Sequence, residues 1–228
     1  MDLEKKKEQL LNYYKHSKIA KSKEVIDAFM KVPRENFLHS YQRDQAYEDH
    51  PLPIGQGQTI SAPHMAFIMC ELLELKEGDK VLEIGSGTGY HAAICAELVA
   101  PSGSENPGHV FTVERIAELV EFAKINLANS GYSDSVTVIL GDGTLGYPEE
   151  APYDAVLVTA AGPKIPPPLV DQLNIGGRLV IPIGGQGMYQ ELVLVKKSAS
   201  GKVTQKNVGG VAFVPLVGKY GFREWGTE

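Results

Sequence analysis

The sequence predicts an α/β fold: a doubly wound, mostly parallel sheet with helices on both faces, a helical N-terminal extension, and an antiparallel edge near the C-terminus. Three observations carry this reading. From Val81 onward, short β-branched runs alternate with helix-length amphipathic segments, the pattern of parallel β-α-β units covered on both faces. The first of these runs passes directly into the glycine-rich stretch "GSGTGY" and then into a helix. Near the end, candidate strands at 191–197 and 211–216 are joined by short polar connections such as "SASGK", as in a hairpin rather than a crossover.

Residues 1 to about 50 read as charged, amphipathic helix. In "KEVIDAFMKV" the residues Val25, Ile26, Phe29 and Val32 form one helical stripe that Pro33 ends. The proline-studded "PLPIGQG" reads as a mobile lid, and the apolar "AFIMCELLEL" after it as a buried segment. The α/β part then runs "VLEI", "YHAAICAELV", "HVFTVE", "IAELVEFAKINLANSG", "VTVIL", "DAVLVTAA", "RLVIPIG", "ELVLVKK" and "VAFVPL". The insertion "APSGSENPG" at 100–108 reads as a surface loop. No internal repeat is visible, and the chain is expected to form one domain over 1–228. Residues 1–75 supply its helical N-terminal region and loop, and 76–228 its α/β core and C-terminal strands.

Composition narrows the class. The 228 residues are 43% apolar, enough for a sizeable core. A net charge of -6 argues against a protein that grips nucleic acid. Two cysteines, Cys70 and Cys95, sit inside helix-like apolar stretches, so buried thiols and a reducing cytoplasm are expected rather than a disulfide framework. The start "MDLEKKKEQL" lacks the apolar core of a signal, and no apolar run has membrane-spanning length.

The sharpest chemistry lies in "VLEIGSGTGY". A strand enters Gly85, Gly87 and Gly89, so bare backbone can lie against a ligand at the strand's carboxyl end. The spacing is G-x-G-x-G with Glu83 ahead of it, not the G-x-G-x-x-G that turns a helix N-terminus onto a pyrophosphate. That favours S-adenosylmethionine, which has no phosphate. Glu114 ends the next strand, where a carboxylate can accept from both ribose hydroxyls; a solvated strand end is the competing reading. In "GDG", Asp142 can accept from an adenine amino group while Gly143 leaves room for the ring, or the pair can be an ordinary Asp-Gly turn.

In "GQTISAPHM", residues 57–65, two hydroxyls and an imidazole cluster before a buried run. Ser61 can cap a helix that Pro63 opens, but capping leaves Thr59 and His64 without a role.

These blocks together carry a resemblance to the protein-L-isoaspartate O-methyltransferases, repair enzymes for isoaspartyl residues in aged proteins. The matching residues are "RENF" at 34–37, "AYEDHPLPIGQGQTISAPHM" at 46–65, "VLEIGSGTGY", "VER", "GDG", "PYDAVLVTAA" and "FVPL" at 213–216. The match runs from about residue 25 to 223, with the 100–108 insertion as its mild departure. The resemblance implies a Rossmann-like class I S-adenosylmethionine-dependent methyltransferase with modified order in its last strands. It implies S-adenosylmethionine as cofactor, held by Thr59, Ile60, Glu83, Gly85, Ser86, Gly87, Gly89, Glu114, Asp142 and Gly143. It assigns Ser61 the active-site role, with Ile54, Thr59, Ser61, His64 and Val214 toward the peptide. The implied reaction is methylation of the isoaspartyl α-carboxylate, followed by closure to a succinimide whose hydrolysis can regenerate aspartate. Isoaspartyl proteins and peptides are the expected partners of a cytoplasmic monomer that uses no metal, nucleic acid or membrane. Two other readings compete. A methyltransferase for small molecules or RNA would leave the "PLPIGQGQTISAPHM" block unexplained, and a non-catalytic module would be expected to have lost a glycine or Ser61.

Overall fold

A computed structural model of this chain describes residues 2–223. Helices α1 (Leu3–His16) and α2 (Lys23–Lys31) open it, followed by two 3-10 turns, Arg34–Phe37 and Ser40–Gln45. Helix thus gives way to turns before residue 50, because Pro33 breaks the α2 stripe. The last carbonyls of α2 are satisfied at long range: the buried Lys7 ammonium of α1 donates to Met30 O at 2.7 Å and Val32 O at 3.2 Å. Tyr14 and Phe29 pack on Phe67, with ring centroids 5.2 and 4.7 Å away, which seats both helices on α3 (Pro63–Leu73).

The segment expected to form a lid is a paired hairpin, β1 (Leu52–Gly55) with β2 (Gln58–Ile60). Leu52, Ile54 and Ile60 point into the core, and Gln42 Nε2 pins Pro53 O at 2.8 Å. Alternating burial within "PLPIGQGQTI" makes it a strand pair; its prolines lie at a sheet edge that needs no ladder hydrogen bond there.

The main sheet is built from β3 (Lys80–Ile84), β4 (His109–Glu114), β5 (Val136–Leu140), β6 (Tyr153–Val158), β7 (Leu173–Gly184), β8 (Gln190–Lys197) and β9 (Val203–Val211). Their order is β5-β4-β3-β6-β7-β8-β9. The strands from β5 to β7 run parallel, and β8 and β9 add antiparallel edges. Chain order reverses direction between β3 and β6, and such a switch point opens a crevice at the carboxyl ends of both strands.

Strand residues alternate between two cores. Val81, Val110, Ala155, Leu157 and Val180 face α2, α3 and α4 (Tyr90–Val99). Leu82, Ile84, Val113, Val156, Val158 and Leu179 face the other side. Cover is uneven. The first side also carries Leu119 and Leu127 of α5 (Ala117–Asn129), whereas the second has the five-residue α6 (Pro167–Asp171), the 3-10 turns Gly143–Leu145 and Pro148–Glu150, and the returning C-terminal segment. Residues 100–108 form the expected loop without a regular element.

The edge differs from expectation. The last strand is Val203–Val211, an almost wholly exposed stretch, whereas 212–216 mostly leaves the ladder and folds over the sheet's end. There Ala161 N donates to Val214 O and Leu216 N to Ala161 O, both at 2.8 Å. Among the described residues no helix is long and apolar enough to cross a membrane.

Candidate active site

The crevice is stitched across the switch point. Thr159, just past β6, donates from its hydroxyl to Ile84 O at 3.0 Å and Gly85 O at 2.8 Å. Gly85 turns the chain at φ +94°, and a Cβ there would sit 2.5 Å from the Thr159 hydroxyl, so both conformation and space demand glycine. Gly143 makes a similar close approach, a Cβ falling 2.4 Å from Ile84 Cγ2. Gly89 lies behind the loop at the start of α4, against Leu127, and lines none of the cavities described next.

Three adjoining cavities meet here. One is walled by Ile54, Gly85, Gly87, Glu114, Gly143 and Val214. A second lies between Arg34, Ile60, Ser61, Glu83, Ser86 and Thr88. The third is an outer cleft of about 400 Å³ along Ser61, His64, Phe213 and Val214. Thr59 and Thr159 line all three.

Glu114 is 7% exposed, which rules out a solvated strand end. Its carboxylate accepts from Gly87 N at 3.2 Å, Arg115 N at 2.8 Å and Ile116 N at 3.1 Å, and so holds the glycine loop in place. Glu83 is fully buried. Thr112 donates to its Oε2 at 2.5 Å, and because that proton is committed, Ser86 donates to Thr112 at 2.7 Å. Burial pushes the Glu83 carboxyl up to about 7, against the opposing pull of His91. Its Oε1 has no partner among the described residues.

A cation lines the same cavity. Arg34, 0% exposed, lies 4.9 Å from the Tyr90 ring centre and donates from Nη2 to Ser61 O at 2.7 Å. Its Nε and Nη1 make no hydrogen bond among the described residues. Unpartnered buried groups of opposite sign at one cavity are costly unless a ligand completes them.

Ser61 does not cap α3; Ala62 occupies that position. The free first-turn amide of His64 is instead satisfied by Asp49 Oδ1 at 3.1 Å, which also meets His64 Nδ1 at 2.8 Å and the Tyr14 hydroxyl at 2.6 Å. Burial pushes the Asp49 carboxyl up, but the His64 and Tyr14 hydrogen bonds outweigh it and hold the group below its usual value. Asp142 sits outside the cavity walls: its Oδ1 accepts from Thr144 N and Oγ1, at 2.9 and 2.6 Å, and its Oδ2 from Lys219 N at 2.8 Å. Ile54 lies on the inner cavity rather than the outer cleft, while Val214 borders both.

Arg34, Asp49, Thr112 and Thr159 were not singled out by sequence reasoning. Arg34, Asp49 and Thr159 lie inside blocks that carry the resemblance, and Thr159 is also the first residue past a strand beside the switch point; Thr112 left no such signal.

A switch-point crevice with a glycine cradle, a buried carboxylate at the end of β4 and unpartnered buried groups of both signs in place of a phosphate site is that of a class I S-adenosylmethionine-dependent methyltransferase. The chain belongs to the protein-L-isoaspartate(D-aspartate) O-methyltransferase family, whose model matches residues 5–221. It is 57% identical over 210 residues to the protein-L-isoaspartate O-methyltransferase of Hyperthermus butylicus, covering 91% of this chain and 87% of that one. Identity to the enzyme of Methanopyrus kandleri is 53% over 218 residues, covering 96% and 94%. A solved structure described as a β-aspartate methyltransferase of this family from Plasmodium falciparum, in complex with S-adenosyl-L-homocysteine, superposes with a TM-score of 0.79 at 28% identity, covering 92% of this chain and 97% of that one. Another protein-L-isoaspartate O-methyltransferase structure superposes with a TM-score of 0.82 at 33% identity, covering 94% and 67%. S-adenosylmethionine-dependent methylation of isoaspartyl residues in protein repair is the function of this family, and this chain is an enzyme of that kind.

Proposed function

We propose that this chain methylates the α-carboxylate of L-isoaspartyl residues and thereby starts repair through a succinimide. The observation that carries the reading is the meeting of two inner cavities and one outer cleft at Thr59 and Thr159, beside Ser61. Residues 1–75 and 76–228 act as one domain, since Arg34, Thr59 and Ser61 come from the first and the glycine loop from the second.

When bound, S-adenosylmethionine supplies a methyl group already activated on a sulfonium sulfur. The residues fit it end to end. Glu114 would take the ribose hydroxyls, and Gly143 would leave room for the adenine, with Asp142 in the turn beside it. The unpartnered Glu83 carboxyl would hold the α-ammonium, and the unpartnered Arg34 guanidinium nitrogens the α-carboxylate. Gly85, Gly87 and Ser86 lie along the chain between, with Ile60 beside it, and Gly89 supports the loop from behind.

A carboxylate is ionised near pH 7, so the reaction needs no general base. It needs alignment, worth about 7–11 kcal/mol in favourable cases. Ser61 and Thr59 orient the incoming carboxylate, and Arg34 fixes the Ser61 backbone. The hairpin carrying Ile54 and Thr59 keeps water out. His64, held by Asp49, and the main chain near Val214 border the peptide. After transfer, the neighbouring peptide nitrogen attacks the ester carbonyl, loses its proton and expels methanol, closing the succinimide. The buried free thiols Cys70 and Cys95 and the net charge of -6 support a cytoplasmic enzyme, here a monomer without nucleic-acid or membrane partners. Transfer of labelled methyl from S-adenosylmethionine to an isoaspartyl peptide tests the reading; a protein that binds cofactor yet labels no isoaspartyl peptide would refute it.

Two cofactor predictions follow from these roles. Glu114→Ala removes charge-assisted acceptors and should weaken S-adenosylhomocysteine binding by about 1.5–3 kcal/mol in calorimetry on the folded variant. Unchanged affinity would leave Glu114 a loop support only.

The Glu83 carboxyl, at about 7, binds an ammonium far more strongly when ionised, because the charge-assisted hydrogen bond is then complete. S-adenosylhomocysteine affinity should therefore rise roughly tenfold between about pH 6 and pH 8, and Glu83→Gln should flatten that profile. The linked stability has the opposite sign. With the folded pKa raised above the unfolded one, the free protein loses stability as pH climbs from the ordinary carboxyl range to about 7. A pH-independent wild-type affinity would remove Glu83 from the ammonium.

A further inference from the structure

At the inner wall of the cofactor crevice, which His91 lines, α3 and α4 bring together three side chains that methyl transfer does not use. Cys70 comes from α3, and His91 and Cys95 come from one face of α4, a turn apart. All three are buried, and their ligand atoms lie within 4.8 Å of one another. Cys70 Sγ and His91 Nε2 are 3.5 Å apart. Two ligands on a tetrahedral zinc, at about 2.3 Å for sulfur and 2.0–2.1 Å for nitrogen, stand about 3.6 Å apart. The pair therefore already spans one edge of such a site.

A second observation is the groove beside it. Cys70 forms part of the wall of a groove of about 680 Å³ between α2, α3 and α4. Six carboxylates border that groove, including Glu71 next to Cys70; Asp27, Glu74 and Glu97 pair with Lys23, Arg178 and Lys31, which leaves Glu24, Glu71 and Glu77 against Lys76. Such an excess of negative charge concentrates cations at the opening.

We propose that Cys70, His91 and Cys95 form a binding site for a thiophilic d10 cation, zinc(II) or copper(I). Two thiolates and a neutral imidazole balance the charge of zinc(II), and a water molecule would complete the four-coordinate shell, since the chain supplies three ligands. Binding releases the two thiol protons to solvent, so no oxidant or reductant takes part. The ion ties the helix that follows Ser61 to the helix that follows the glycine loop, and so braces both walls of the cofactor crevice.

The test uses the full chain, reduced and freed of metal by a chelator. Zinc titrated against a chromophoric chelator should bind at one equivalent and raise the melting temperature. Cobalt(II) should show a thiolate-to-metal charge-transfer band and the visible bands of a tetrahedral ion. Cys95→Ser should weaken zinc binding by at least about a hundredfold, more than loss of a supporting hydrogen bond does. The wild-type cobalt spectrum keeps the test decisive should that variant not fold. A copper(I) competition arm separates the ions: copper bound at one equivalent without zinc, and lost in Cys95→Ser, upholds the site and assigns it to copper. No stoichiometric zinc or copper in the reduced protein would overturn the site and leave a hydrogen-bonded thiol and imidazole cluster. Equal metal affinity in Cys95→Ser would overturn it too, placing the ion on the groove carboxylates.

Discussion

Two peptides that differ only in whether one aspartyl residue is linked through its α- or its β-carboxyl should be methylated at rates about 10⁴-fold apart, the isoaspartyl form being the substrate. In the isoaspartyl peptide the extra backbone methylene displaces the chain and presents a free α-carboxylate. The outer cleft reaches Thr59 and Ser61, exposed and half-buried in the free chain, and a bound peptide shields both from water, so their hydroxyls are left unpaired when an ordinary aspartyl peptide lies in the same groove. Buried polar groups without partners discriminate far more strongly than apolar fit to one methylene, which gives about 10–200-fold. The product is a methyl ester, so its base-labile release as methanol measures the reaction on both peptides, and RNA should take up no label. Comparable rates on the matched pair would sink the isoaspartyl specificity while leaving the methyltransferase fold intact.

The parts of this site that could be read from the sequence are those set by local pattern. A strand running into G-x-G-x-G places Glu83 and the loop, and β4 ends at Glu114 as its β-branched run requires. The central strands β3, β4 and β6 and the second half of β7 are likewise visible, because burial makes them largely apolar, and β5 and β8 show as short β-branched runs between polar segments. The last strand escaped this logic. Val203–Val211 has exposed residues almost throughout, so no alternation marks it, while the apolar residues of 212–216 look like a strand because they cover the end of the sheet and line a cavity. Ser61 looked like a helix cap because Pro63 follows closely, but Asp49, 15 positions earlier than His64, satisfies that first turn. Arg34 reaches Ser61 across 27 positions. Contacts of that span depend on how α2, the hairpin and α3 pack together, and no window of sequence displays them.

Replacing Ser61 by Asp should lower kcat/KM on an isoaspartyl peptide by about 10²–10³-fold, with the melting temperature close to wild type. The stability half follows from Ala62, not Ser61, being the cap of α3, so no cap is lost or gained. The kinetic half follows from charge. Ser61 lies where the outer cleft meets the inner cavity, and a carboxylate placed there faces the substrate's own carboxylate. Like charges about 4 Å apart repel by about 4 kcal/mol at an effective dielectric near 20, equivalent to about 10³-fold in rate, and the openness of the cleft reduces this. Ser61→Ala removes only a hydrogen bond to a charged group, about 1.5–3 kcal/mol, and should cost at least about tenfold. Ser61→Asn separates charge from size, because it matches aspartate in shape and keeps a donor. The expected order of activity is Ser, then Asn and Ala, with Asp last. An Asp variant as active as the Ala variant would show that no substrate carboxylate comes near this position, and the orienting role would pass to Thr59 and Thr159.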